Sequence, residues 1–305
     1  MKKHTLRIAT RQSPLALWQA NFVKQQLQTH HANLHVDLLP IVTTGDKTLG
    51  SLIESGGKGV FVKELEQALL ENRADIAVHS MKDMPMDYPH GLDMVAMCER
   101  ADPRDAWVSN HYHKLAELPK ACVVGTSSLR RSCQLHAQRR DINFSLLRGN
   151  VDTRVRHLDE GKYDAIILAA AGLIRLGLQH RISEYLPTEI CLPAAGQGAI
   201  GIECRSPDKK TIELIHALDH PTTHICVQAE RALVQQLQGN CQVPIAAYAI
   251  LDGEHLTLQG RVGKPDGSVL LKAAGKGKKS DPAELGRRVA KDLLAQGAKE
   301  VLFDH

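Results

Sequence analysis

The chain has 305 residues, 43% apolar and 24% charged, with a formal net charge of +4. At about 100–200 residues per domain, that length predicts two or three domains. The composition is that of a globular protein and excludes collagenous, low-complexity and disordered readings. Aromatic residues are only 4%, so the core must be built from Leu, Ile, Val and Ala. The longest clearly apolar uncharged run, Ala165 to Ile174, is half the roughly 20 residues that a spanning helix needs. Lys2 and Lys3 look like a basic leader, but Arg7 and Arg11 interrupt any apolar stretch behind them. A cytoplasmic chain with no secretory leader and no membrane contact is therefore expected.

The first predicted elements are a strand over Leu6–Thr10 and a helix that starts at Ser13-Pro14, a good N-cap and first-turn pair. Leu15, Trp18, Phe22, Val23 and Leu27 then recur at helical spacing. Leu34–Val42 alternates as a strand, and Thr44-Gly45-Asp46 reads as a turn. Gly56-Gly57-Lys58-Gly59 is a flexible loop before an amphipathic helix from Val60 to Arg73, with Phe61, Leu65, Ala68 and Leu69 on one face. Ala74–His79 is an apolar strand of the type buried in parallel sheets, and it runs into Ser80-Met81-Lys82-Asp83.

A second round of the pattern begins near residue 103. Cys122–Val124 is a strand, Gly125-Thr126-Ser127-Ser128 turns into a helix through about Arg140, and Phe144–Leu147 is a strand. Arg148-Gly149-Asn150 opens a helix to about Glu160, and Asp164–Ala170 is a buried strand. Strands alternating with helices predict an α/β fold with largely parallel sheets. Leu192–Gly198 is a Gly/Pro-rich crossing that reads as a hinge. The last third has helices near Asp208–Leu218 and Thr222–Leu237, three strands (Val243–Leu251, His255–Val262, Ser268–Ala274) and a helix over Pro282–Gln296. That order predicts a small α+β domain at the C-terminal end.

Seven cysteines, Cys98, Cys122, Cys133, Cys191, Cys204, Cys226 and Cys241, show no C-x-x-C spacing, against a disulfide framework or structural zinc. His111-Tyr112-His113 falls on a predicted surface loop, and no metal is expected. Gly196-Gln197-Gly198-Ala199-Ile200-Gly201 has the G-x-G-x-x-G form, but a strand follows it, whereas dinucleotide binding requires a helix there.

Charge is unevenly placed. Nine of the 19 arginines lie between Arg130 and Arg181. Arginine suits bidentate recognition of carboxylate or phosphate, so this region is expected to face a nucleic acid, a phosphorylated metabolite or a polycarboxylate. Gly125–Ser128 follows a strand and opens a helix carrying Arg130 and Arg131. Plain capping explains the serines but not two cations in a first turn, where they oppose the helix dipole. Arg148-Gly149-Asn150 with Arg154, and Arg11 with Ser13, repeat the device. In open α/β sheets ligands bind outside the carboxyl ends of strands. Lys82-Asp83 lies just past a strand, where the carboxylate is either a general acid/base or a salt-bridge partner. Cys241, in Gly239-Asn240-Cys241, is an ordinary loop thiol unless positive charge activates it. A nucleic-acid binder would carry more basic excess and more stacking aromatics.

Taken together, these segments resemble the porphobilinogen deaminase (hydroxymethylbilane synthase) family. The matching stretches are Arg7–Ala16, Gly57–Leu65, Ala77–Asp83, Gly125–Arg131, Leu147–Asn150, Pro193–Gly198 and the Cys241 turn, in family order over nearly the whole chain. The resemblance implies two domains like type-2 periplasmic binding proteins, residues 1–98 with 199–218 and residues 103–193. It adds an α+β domain with a three-stranded sheet, residues 221–305, that carries the cofactor cysteine. It implies a monomeric transferase of tetrapyrrole and heme synthesis that joins four porphobilinogen molecules with loss of ammonia and releases hydroxymethylbilane by hydrolysis. A dipyrromethane cofactor bound as a thioether to Cys241 is implied, with neither nucleic acid nor membrane as a partner. By the same resemblance Asp83 is the catalytic carboxylate. Lys82, Asp83, Thr126, Ser127, Ser128, Arg130, Arg131, Gly149 and Arg154 bind the cofactor. Arg11, Ser13, Arg148, Arg154, Arg175 and Gln197 bind substrate, while Lys58 and Phe61 lie on a mobile loop over the site. Two positions depart from the family's usual pattern: Asn240, where Gly is common, and Thr44, where a basic residue is common.

Overall fold

The computed structural model describes residues 4–47, 59, 61–239 and 243–303. In chain order the strands and α-helices begin with β1 (His4–Arg11), α1 (Pro14–His30), β2 (Leu34–Ile41), α2 (Thr44–Lys47), α3 (Lys63–Leu70), β3 (Ile76–Ser80) and β4 (Leu92–Met97). There follow β5 (Asp105–Val108), β6 (Val123–Gly125), α4 (Leu129–His136), β7 (Asn143–Ser145), α5 (Val151–Asp159), β8 (Ala165–Ala169), α6 (Ala170–Arg175), β9 (Glu184–Leu186) and β10 (Ile200–Arg205). The chain continues with α7 (Lys209–His216), α8 (Pro221–Gln236), β11 (Ile245–Asp252), β12 (His255–Gly263), β13 (Leu270–Lys278), α9 (Pro282–Ala295) and α10 (Ala298–Phe303). Two compact units result: Met1–Arg100 with Ala199–His224, and Ala101–Gly198 with Ile225–His305.

Unit one is a five-stranded sheet in the order β2-β1-β3-β10-β4. Alternation along the strands feeds two cores, as the period of two requires. Leu6, Ile8, Val36, Ile76 and Val78 meet Ala20, Val23 and Leu27 of α1. Ala9, Ala77 and Leu92 meet Leu65, Ala68 and Leu69 of α3. Helix α1 starts as expected, with Pro14 in its first turn and Ser13 Oγ accepting from the Ala16 amide at 3.4 Å.

Unit two holds a second five-stranded sheet, β7-β6-β8-β5-β9, and an antiparallel three-stranded sheet, β11-β12-β13. In the larger sheet Trp107 is fully buried among Val124, Leu135 and Ile167, and its indole N–H donates to the Tyr112 carbonyl at 2.9 Å. Helix α9 lies close against α8 because residue 286 is glycine: a Cβ there would stand 2.4 Å from the Ala229 carbonyl oxygen and 2.7 Å from Ala232 Cβ. Gly286→Ala gains about 1 kcal/mol of helix propensity, but a clash with backbone is at the costly end of overpacking. A net destabilisation of about 2 kcal/mol is expected from urea unfolding, and an unchanged midpoint would refute the packing argument.

The α/β class and the C-terminal three-stranded sheet agree with the sequence reading; several details are corrected. The sheets are mixed. β10 runs antiparallel to both β3 and β4, and β5 antiparallel to both β8 and β9. The Thr44–Asp46 turn is the short helix α2, and the helix expected from Val60 to Arg73 spans Lys63–Leu70. Helix α4 stops at His136, short of Arg140. Arg139 Nη2 instead donates to the Leu118 carbonyl at 2.8 Å and to Asp141 at 2.7 Å. β13 runs on to Lys278 through Gly275 and Gly277, whose bare faces admit Val289 and Leu285 of α9.

Candidate active site

In unit one, β1 and β3 are parallel neighbours, so their carboxyl ends bring together two of the motifs singled out from sequence. β1 leads into Arg11 and Ser13. β3 leads into a 3₁₀ turn, Met81–Asp83. That turn is pinned from below: Met81 is buried, its amide donates to the Ala199 carbonyl at 3.1 Å, and Gln19 of α1 donates to Ser80 Oγ at 2.9 Å. Lys82 is half-buried and Asp83 is exposed. The turn thus presents the Asp83 carboxyl outward from a buried support.

Arg11 is held by neighbours. Its Nη2 pairs with Asp46, its Nε donates to Asp46 Oδ2 at 3.3 Å, and its guanidinium carbon lies 4.1 Å from the centre of the Phe61 ring. Burial would raise the Asp46 carboxyl; Arg11 and Thr43 outweigh it and hold the carboxyl below its usual range. The Phe61 ring packs on Gly45, where a Cβ would stand 2.2 Å from a ring carbon. Thr44, one of the two departures, donates from both its amide (2.7 Å) and its hydroxyl (2.6 Å) to Glu64 Oε1. Lys58 lies outside the described residues.

In unit two the parallel strands β7, β6 and β8 are adjacent, so three strand-to-helix junctions line one sheet end. After β6, the Thr126 amide donates to the Ser145 carbonyl at 2.9 Å, and Thr126 Oγ1 accepts from the Ser128 amide at 3.2 Å. Ser127 is exposed, and Ser128 makes no side-chain cap on α4. After β7, Gly149 takes φ +101°, which only glycine adopts without strain. Its carbonyl accepts from Arg154 Nε at 2.7 Å. Arg148 is half-buried in the same junction. After β8, α6 ends in Arg175, whose Nη2 donates to the Gly198 carbonyl at 2.7 Å.

Arg130 and Arg131 point into the interior, a placement that sequence reasoning missed. Both close on Asp105, which is fully buried. Arg130 Nη1 and Arg131 Nη2 each reach the carboxylate at 2.7 Å, and Arg131 Nε at 3.0 Å. Gln197 Nε2 donates to Asp105 at 3.0 Å and to the Pro103 carbonyl at 2.6 Å. The Cys191 thiol donates to it at 3.2 Å. Burial alone would raise the Asp105 carboxyl, but the two guanidiniums outweigh it and hold it far below the carboxylate range. This corrects the expectation that the whole arginine-rich stretch faces a ligand. Arg130 and Arg131 share Asp105, Arg139 pairs with Asp141, and Arg181 pairs with Asp159 at 2.6 Å.

The flanks of the cysteine turn are well packed; Asn240 and Cys241 themselves lie outside the described residues. Gln238 adopts φ +53° at the end of α8. A Cβ on Gly239 would stand 2.3 Å from Ile245 Cδ1 and 3.2 Å from Val234 Cγ1, so these side chains pack closely on the approach to the turn. The Ile245 amide donates to the Val243 carbonyl at 2.8 Å on the far side.

No described helix is long and apolar enough to cross a membrane. The chain matches the family model described as "Porphobilinogen deaminase, dipyromethane cofactor binding domain" over residues 6–213. It matches "Porphobilinogen deaminase, C-terminal domain" over residues 224–295. Among solved structures it is similar to the methionine-binding protein MetQ, at 12% identity over 74% of this chain and 91% of that one, with a TM-score of 0.46. It is also similar to a periplasmic substrate-binding protein of an ABC transporter from Coxiella burnetii, at 13% identity over 72% of this chain and 94% of that one, with a TM-score of 0.45. The two models together span nearly all of the sequence, and the chain belongs to the porphobilinogen deaminase family. It is a transferase of porphyrin synthesis that polymerises porphobilinogen with loss of ammonia, and dipyrromethane is its cofactor.

Proposed function

We propose that the carboxyl ends of the two parallel strand sets form the working surfaces of this deaminase, with Asp83 as the catalytic carboxylate and Cys241 as the cofactor attachment point. The observation that carries this reading is the grouping described above. Arg11, Ser13, Lys82 and Asp83 stand on adjacent strands of unit one. Thr126, Ser127, Ser128, Arg148 and Gly149 stand on adjacent junctions of unit two, with Arg154 within α5 and Arg175 at the end of α6. The donor set suits the cofactor, because each pyrrole carries an acetate and a propionate, and guanidinium, ammonium and hydroxyl donors match carboxylates. When bound, dipyrromethane supplies an electron-rich pyrrole carbon as the growth point.

The chain's own residues do the rest. Asp83 delivers a proton to the departing amine. As a carboxylate it then faces the positive charge that develops on pyrrole nitrogen, and it takes up the proton lost after coupling. Arg11, Ser13, Arg148, Arg154, Arg175 and Gln197 orient the carboxylates of substrate. Lys82, Thr126, Ser127, Ser128 and Gly149 hold those of the cofactor, backed by Arg130 and Arg131. Phe61, whose ring lies against the Arg11 guanidinium, covers the site. A three-domain division, residues 1–98 with 199–218, 103–193 and 221–305, and a cytoplasmic monomer that binds neither nucleic acid nor membrane complete the reading.

Intact mass of the purified protein, paired with Ehrlich's reagent, tests the attachment. The wild type is expected to carry the mass of two linked pyrrole units, taken up on adding porphobilinogen if it is absent at first. Cys241→Ser is expected to carry none. A Cys241→Ser protein that retains the adduct would move the attachment elsewhere.

A further inference from the structure

Three titratable side chains of unit one meet in its interior: Glu66 on α3, His79 on β3 and Glu203 on β10, all buried. β3 and β10 pair with Ala77 opposite Glu203 and Gly201 opposite His79. Glu203 and His79 are thus diagonal neighbours on one face of the sheet, the face that α3 covers through Leu65, Ala68 and Leu69. His79 Nε2 lies 2.9 Å from Glu203 Oε2. The other oxygen of Glu203 and Oε1 of Glu66 are both buried without a hydrogen-bond partner. Glu66 faces Glu203 from β10, His79 from β3 and Lys63 from one turn earlier on α3. β1 contributes the apolar Ala9 to this face, and β4 contributes Leu92 and, against Gly201, Met94.

Two carboxyl groups and one imidazole in a water-poor cluster cannot carry two negative charges cheaply. An orphaned carboxylate oxygen is itself costly, whereas a protonated carboxyl supplies a donor. We propose that Glu66 holds one exchangeable proton beside Glu203 that clamps α3 onto β3 and β10, and that losing it loosens α3. Burial and the Glu203 charge push the Glu66 carboxyl up to about 7, which places the exchange at neutral pH. The clamp sits at a sensitive place. α3 begins just after Phe61, whose ring underlies Arg11, and β3 runs directly into the Lys82–Asp83 turn. The proton site stands on the packing of unit one and is independent of the reading of the active site.

The sign is fixed by linkage. The folded form binds the Glu66 proton more tightly than the unfolded chain, whose ordinary value is 4.5. The cluster therefore stabilises fully at low pH and loses its effect as pH rises toward about 7. Glu66→Gln is the neutral isostere. In urea unfolding, the wild-type unfolding constant should rise relative to that of Glu66→Gln by about tenfold per pH unit across that window. Taking the difference removes the contribution of groups remote from Glu66. At about pH 8 the variant should be the more stable protein, and the amides of α3 should exchange more slowly in it. Parallel stability curves for the two proteins would overturn the proposal. The wild type alone gives a second test, should the variant not fold. The infrared carbonyl band of a protonated carboxyl should be present at about pH 6 and lost by about pH 8, and its absence at the lower pH would equally overturn the proposal.

Discussion

Asp83→Asn is expected to abolish sustained turnover while leaving the fold in place. General acid–base catalysis by a positioned side chain contributes about 10²–10⁴-fold in rate, and an amide can neither give nor take the proton. Asp83 closes a 3₁₀ turn whose anchors are the buried Met81 and the Ser80–Gln19 hydrogen bond, and its own side chain is exposed. Stability should therefore change by no more than about 0.5 kcal/mol. The measurement is kcat for porphobilinogen consumption alongside the thermal midpoint. Near-normal kcat would remove Asp83 from the mechanism. A large fall in the midpoint would show that the turn needs the carboxylate structurally.

Asp105→Asn should produce the largest loss of stability of any single change in unit two. Removing one partner of a buried ion pair costs about 3–5 kcal/mol, because the remaining charge stays buried without compensation. Here two guanidiniums would be stranded at once. Guanidinium chloride unfolding tests this, with the double variant Asp105→Asn/Arg131→Gln as the companion. If stranded charge is the cause, the second substitution should recover part of the loss. Equal stability of wild type and Asp105→Asn would mean that the cluster carries no net energy. The pH dependence is opposite in sign to that of Glu66. The Asp105 carboxyl is depressed below its ordinary 3.8, so its contribution is complete above that value and is lost only as pH falls further. Unit one should thus weaken toward neutral pH, while this cluster weakens only in strong acid.

The legible parts of this fold are those in which local chemistry decides. Ser13-Pro14 starts α1 by capping and fixed φ, and Gly125–Ser128 and Arg148–Asn150 mark strand-to-helix junctions by residue type alone. Other features depend on partners distant in sequence. β5 and β9 are short, β5 is buried along its whole length, and β4 is exposed only at Asp93, so none shows the alternation that marks a half-exposed strand. The partner that neutralises Arg130 and Arg131 comes from a strand 25 residues earlier. Its one visible signal was an aspartate opening the apolar run Ala106-Trp107-Val108. Glu66 likewise reads as the solvent face of an amphipathic helix until β10 brings Glu203 beneath it. The arginine cluster was a sound pointer to anion chemistry but overcounted, because charge density in sequence does not separate arginines paired internally from those turned toward a ligand.

The insertion of β10 between β3 and β4 also bears on synthesis. When β4 leaves the ribosome, the sheet of unit one lacks an inner strand, and the partner edges of β3 and β4 are open. About 100 further residues must be translated before Ile200–Arg205 can fill the gap, a delay of about 5–20 s at about 5–20 residues per second. Meanwhile β5 to β9 can close their own sheet, since none of its strands waits on anything downstream. The nascent chain would thus complete its second sheet before its first, and the waiting edges are where a chaperone would be needed most.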